Sequence, residues 1–153
     1  MKRIGILLLF LTLGCATAPR FPATVRVTLE QLPALGDPFP IPEGSNRLMV
    51  ASAQTWPYQE ARVQGILYDV ASDTEGRVAY IGTSDPAFKT PEGLSIRSTL
   101  AEVMATGAEP PWREPGWADH TKLSSGWNAA FIRGFDRDGR LKPQATVAFF
   151  FQR

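Results

Sequence analysis

His120 is the only histidine among 153 residues, and Asp119 stands directly before it. Ser124 and Ser125 follow closely, so a serine nucleophile activated by an imidazole and a carboxylate is one reading of the segment. Against it, the chain has no Gly-x-Ser-x-Gly, and close neighbours on one loop rarely meet the geometry a nucleophile needs. A hydrogen-bonded or solvent-facing structural histidine is the simpler expectation. A metal would want two or three nitrogen, sulfur or carboxylate ligands at set spacing, and the residues around His120 do not supply them. Neither a metal nor a cofactor is called for.

Asp136-x-Asp138-Gly139 has the spacing of the middle of a calcium loop. The required acid six residues beyond the glycine falls on Ala145, however, and the first ligand position falls on Gly134. A hairpin turn accounts for the same residues. Trp112 and Trp117 are the more informative pair. They sit in Glu-Pro-Pro-Trp-Arg-Glu-Pro-Gly-Trp-Ala-Asp, residues 109–119, a loop by composition whose prolines deny it a ladder. Large rings beside Arg113, Glu114 and Asp119 are how sugar-binding and protein-binding surfaces are built, because rings supply area at small entropic loss. The alternative is that both rings fold back as a lid over a sheet. Trp112, Arg113, Trp117, Asp119 and His120 are therefore the candidate residues for binding an unknown protein or glycan partner.

The remaining chemistry lies at the front. Lys2 and Arg3 precede the run Ile4 to Leu13, apolar apart from Gly5 and Thr12, and Gly14-Cys15 closes it with the only cysteine. A positive start, a short apolar middle and small residues form a secretory signal. Ten residues of helix reach about 15 Å, half the hydrocarbon thickness, so the run is too short to span a membrane. Thr12-Leu13-Gly14-Cys15 resembles the lipobox of bacterial lipoproteins, with Thr12 where Leu is usual and Leu11 one step early. That resemblance implies cleavage before Cys15, a diacylglyceryl group on its sulfur and acylation of its new amine. Two or three acyl chains hold a protein stably at a bilayer where one does so only marginally. In enteric-type lipoproteins an Asp after the Cys tends to retain the protein at the inner membrane. Ala16 stands there instead, which by the same resemblance favours the outer membrane, facing the periplasm.

Without residues 1–14 the chain keeps 139 residues, enough for one domain with a real core. Losing Lys2 and Arg3 leaves 14 basic against 15 acidic side chains, with no basic run. Nucleic-acid binding has no electrostatic footprint in such a chain, and neither does a polybasic membrane patch. Any membrane attachment then rests on lipid. With the thiol occupied, stability in an oxidising compartment rests on packing alone.

Residues 15–23, the lipidated Cys and a tether carrying Pro19 and Pro22, lead into a single globular domain over 24–153. Val25, Val27 and Leu29 alternate with polar residues and predict a half-buried strand. Pro33, Pro38, Pro40 and Pro42 mark a loop. Strand patterns resume over 46–53, 61–71 and 77–82, the last two joined through Asp73 and Gly76 as a hairpin. Phe88 should turn inward between two turns, Asp85-Pro86 and Thr90-Pro91-Glu92-Gly93. Thr99 and Glu102 form a capping box for a helix of about two turns, with Leu100, Val103 and Met104 on one face and Gly107 ending it. Strands return over 126–133 and 146–152, the latter apolar on both faces and so expected centrally in the sheet or between sheet and helix.

The stretch from Ile96 to Pro110, a capped helix followed by Gly107-Ala108-Glu109-Pro110, resembles the small lipoprotein subunit of the outer-membrane barrel-assembly machinery. It departs from that pattern at Arg97, where a Gly is usual, and by one extra residue between Gly107 and Pro110. A similar order of strand, Thr-Pro-Glu-Gly and helix occurs in uncharacterised secreted bacterial domains. The first of these resemblances implies a helix on an antiparallel sheet. The expected fold is α+β, an antiparallel sheet of five or six strands with one short helix packed on it, or else a β-sandwich with a helical insertion. The expected function is a non-catalytic, lipid-anchored envelope lipoprotein that binds a protein or glycan. A small periplasmic hydrolase using His120, or an envelope assembly or transport accessory, are the alternatives.

Overall fold

The computed structural model describes residues 26–153; the leader, Cys15 and the tether lie outside the described residues. Chain order is β1 (Arg26–Leu29), β2 (Arg47–Ala51), β3 (Gln54–Val63), β4 (Ile66–Ser72), β5 (Val78–Thr83), α1 (Leu100–Ala105), β6 (Trp112–Glu114), β7 (Ala118–Lys122), β8 (Asn128–Phe131) and β9 (Phe149–Gln152). The α+β class holds, but the sheet is larger than expected. All nine described strands join one mixed sheet, ordered β1-β3-β4-β5-β9-β8-β7-β6, with β2 paired to β3 off that path. β1 runs parallel to β3, and the other pairs are antiparallel. Among the described residues there is no second sheet to make a sandwich.

Two local rules account for much of the extra pairing. The strand expected over 61–71 is divided at Gln64-Gly65, whose φ values of 50° and 86° make a two-residue hairpin turn between β3 and β4. The hairpin expected next is present as β4–β5, where Asp73 Oδ1 accepts the N–H groups of Glu75 and Arg77. The second rule concerns residues 109–119, which are not a loop throughout. Pro110 and Pro111 precede β6, and Pro115 lies in the turn to β7, so no proline interrupts the pairing of Trp112, Arg113 and Glu114 with His120, Asp119 and Ala118. Trp117 N donates to Glu114 O at 3.1 Å, and Gly116 has φ 79°. Pro then Gly at the two central positions is the chemistry of a type II turn.

α1 forms as its caps require. Glu102 N donates to Thr99 Oγ1, and Glu102 Oε2 accepts from Thr99 N at 2.7 Å. Gly107, at φ 81°, lies just past the helix end. Leu100 and Val103 are buried, while Met104, one turn on from Leu100 at the edge of that face, is 36% exposed. They pack with the inward-turned Phe88, with Leu94, and with Tyr68, Val70, Ile81 and Phe150 of the sheet. β9 is central, between β5 and β8, and its apolar residues serve two cores. Phe150 joins the α1 side. Phe151 joins Val50, Ala71, Tyr80, Ala118 and Ala130 on the opposite side, where β2 lies over the sheet. Both faces of the sheet are therefore covered.

Candidate functional site

Register decides what the β6–β7 hairpin presents. Directly paired residues share a face, so Trp112 and His120 lie with Glu114 on the β2 side of the sheet. Arg113 and Asp119 point to the α1 side. The five residues singled out from the sequence are thus on one hairpin but on both of its faces. Arg113 Nε stands 3.2 Å from Asp119 Oδ1, and its guanidinium lies over the Phe135 ring at 5.6 Å. Arg113 is half exposed, so this pair contributes little to stability.

On the β2 side the two tryptophans have different fates. Trp117 is half-buried: its indole N–H donates to Met49 O at 3.1 Å, its ring meets Phe151 edge-on at 4.8 Å, and the Arg153 guanidinium covers it at 4.8 Å. Trp117 therefore acts as a lid. Trp112 does not, and remains 57% exposed, its ring perpendicular to His120 at 5.1 Å. A hollow of about 240 Å³ opens beside it, lined by Glu109, Pro110, Trp112, His120, Lys122 and Asn128.

His120 is buried rather than solvent-facing. Its Nε2 lies 3.5 Å from Glu114 Oε2 without forming a hydrogen bond. Burial first, then the Arg153 charge, lower its pKa below the ordinary 6.5, although Glu114 and a hydrogen bond with Asn128 oppose them. The ring is held neutral. Glu114, which in the sequence only flanks the two rings and is not among the five candidates, is the carboxylate that faces His120. It accepts from Ser52 N at 2.7 Å and pairs with Arg153, and these bonds outweigh its burial and keep the carboxyl below its usual range.

The hydrolase arrangement is not brought together. Ser124 and Ser125 donate their hydroxyls to Glu92 at 2.9 and 3.0 Å, and Asp119 faces away from His120. Asp136 acts in a turn, its Oδ1 accepting the N–H groups of Asp138 and Arg140. Among the described residues no three His, Cys, Asp or Glu side chains converge on a metal-sized site. No helix among them is long and apolar enough to cross a membrane.

A second cleft escaped the sequence entirely. It holds about 260 Å³ between β2 and the sheet, with Asp69, Tyr80 and Gly82 in its lining. The Asp69 carboxyl is pushed up to about 6, first by burial and then by the charge of Glu60, its cross-strand partner. Alternation in β4 signals only that Asp69 opposes Tyr68 and Val70, and it took the fold of β2 over that face to half-bury an acid there. No family model, curated protein or solved structure matches this chain.

Proposed function

We propose that the protein is a lipid-anchored lipoprotein of the bacterial cell envelope, non-catalytic, which binds a glycan at the membrane surface through Trp112. The observation that carries the binding half is the ring of Trp112, 57% exposed beside a hollow with polar walls. The ring stands on a paired strand, so its position is fixed before any ligand arrives, and little freedom is lost on binding. An aromatic face next to Lys122, Asn128 and Glu109 offers a stacking floor for sugar C–H groups with donors and acceptors beside it. His120, neutral and braced from below, holds the floor in place.

The anchoring half rests on Cys15 and the leader before it, with the outer membrane favoured by Ala16. A protein partner in place of the glycan would dock at the same exposed ring. The hydrolase reading has less support, since both serines are bound to Glu92 and Asp119 lies on the other face.

Two measurements test this. Mass spectrometry of the protein purified from membranes should show the leader gone and Cys15 acylated, and Cys15→Ser should move the protein out of the membrane fraction. Co-sedimentation with isolated cell-wall glycan should be lost on changing Trp112→Ala, with the unfolding midpoint unchanged. Equal retention of wild type and Trp112→Ala rejects the glycan site.

A further inference from the structure

The cleft under β2 lies outside the Trp112 hollow and has a different chemistry. Its walls are apolar: Leu48 and Met49 come from β2, Phe149 from central β9, and Ile132 and Trp117 from just after β8 and from the β6–β7 turn. Its floor is polar. Asp69 and Gly82 are direct partners between β4 and β5, and the Tyr80 ring lies flat over Gly82, its hydroxyl 2.5 Å from where a Cβ would stand. The carboxylate and the phenol therefore share the bottom of the cleft. Burial and the charge of Glu60 are what act on the carboxyl, and no hydrogen bond offsets them. Two apolar side chains at the rim, Met49 and Ile132, are 46% and 51% exposed.

Asp69 is half-buried, and a carboxylate partly withdrawn from water with no protein donor on it gains once a cation enters the cleft beside it. Aromatic walls add attraction for the same cation through their ring faces. The apolar rim would cover whatever carbon skeleton follows the charge. A cleft of about 260 Å³ lies slightly under the usual range for drug-sized ligands, which suits a small molecule or one chain end.

We propose that this cleft binds a small organic cation, an ammonium group on an apolar body, with the Asp69 carboxylate as its counter-ion. Tyr80 and Phe149 flank the charge, and Met49 and Ile132 close over the body. The other charged groups near Asp69 are Glu60, which is ion-paired with Arg26 from β1, and Arg153, which acts on Tyr80 from the end of β9. Neither cation reaches the Asp69 carboxylate.

Calorimetric titration of the full-length protein with hexylammonium tests the assignment. Binding in the millimolar range or tighter is expected, at least tenfold weaker for Asp69→Asn. 1-Hexanol, of the same shape without the charge, should bind at least tenfold more weakly than hexylammonium. Lowering the pH from about 7.5 to about 5 should weaken hexylammonium about tenfold, as the carboxyl at about 6 takes up its proton. Nα-acetyl-lysine amide in a parallel titration distinguishes a peptide lysine from a free amine as the source of the ammonium, and binding of either supports the site. No binding of any amine, equal affinity for Asp69→Asn, or hexanol as tight as hexylammonium overturns it. Thermal unfolding of Asp69→Asn confirms that the comparison is between two folded proteins.

Discussion

Arg153, one residue beyond β9, is ion-paired with Glu114 at the end of β6, although β8 and β7 lie between those strands. The same guanidinium donates to Val50 O at 3.0 Å, and the same carboxylate accepts from Ser52 N at 2.7 Å. Two groups thus fasten β2 and the turn after it to the far hairpin. This is what closes the β2 side over Tyr80 and Phe151 and keeps His120 from water.

Removing either partner leaves a largely buried charge or N–H unpaired. Glu114→Ala should destabilise the protein by roughly 2–4 kcal/mol and Arg153→Ala by roughly 1–3 kcal/mol. Urea unfolding of both variants and of the double variant gives their coupling, expected to be at least about 1 kcal/mol. Strict additivity would mean that the pair does not hold β2.

Acid should loosen the same region in two stages. His120 binds its proton less tightly folded than unfolded, so its contribution is complete above the ordinary 6.5 and declines as the pH falls below it. Glu114, held below its ordinary 4.5, contributes stability present above that value and lost as the pH falls through its folded pKa. In an Asp69→Asn background, which removes the opposing effect of that carboxyl, the thermal midpoint should therefore drop from about pH 6.5 downward, and adding His120→Gln should remove the first stage alone.

Asp69 has the opposite sign. Its folded carboxyl is raised to about 6 from 3.8, so it costs stability above the higher value, and that cost disappears as the pH falls toward the lower one. Asp69→Asn should gain about 1–3 kcal/mol near neutral pH and nothing near pH 3.8. Urea midpoints at both pH values, without added amine, decide it.

Gly82→Ala should also destabilise, by roughly 1–3 kcal/mol. The new methyl group would lie 2.5–2.8 Å from three atoms of Tyr80. That ring is 4% exposed and stacked on Phe151 at 5.9 Å, so it has little room to retreat. Replacing that ring by a smaller side chain, Tyr80→Leu, should recover part of the loss in the double variant.

Elements whose signal lies within a few residues were legible beforehand. The Thr99–Glu102 capping box, the Asp73 turn and the inward Phe88 depend on local hydrogen bonds or local contrast. The central place of β9 was legible too, because Phe149, Phe150 and Phe151 leave it no wet face. The ladder of β6 was hidden because composition counts prolines without seeing that Pro110, Pro111 and Pro115 all fall just outside the paired residues. β3 and β4 read as one strand because Gln64 gave no sign that its backbone would turn left-handed.

The sequence by itself determined the class of fold and the helix with its ends. Those follow from periodicity, caps and composition, which act over a few bonds or sum over the chain. Only the tertiary structure decided that Trp117 is covered while Trp112 is bare, that Glu114 rather than Asp119 faces His120, and that Asp69 is half-buried in a cleft. Each of these depends on which residue stands opposite which, and register between distant strands is set by the cooperative packing of both faces.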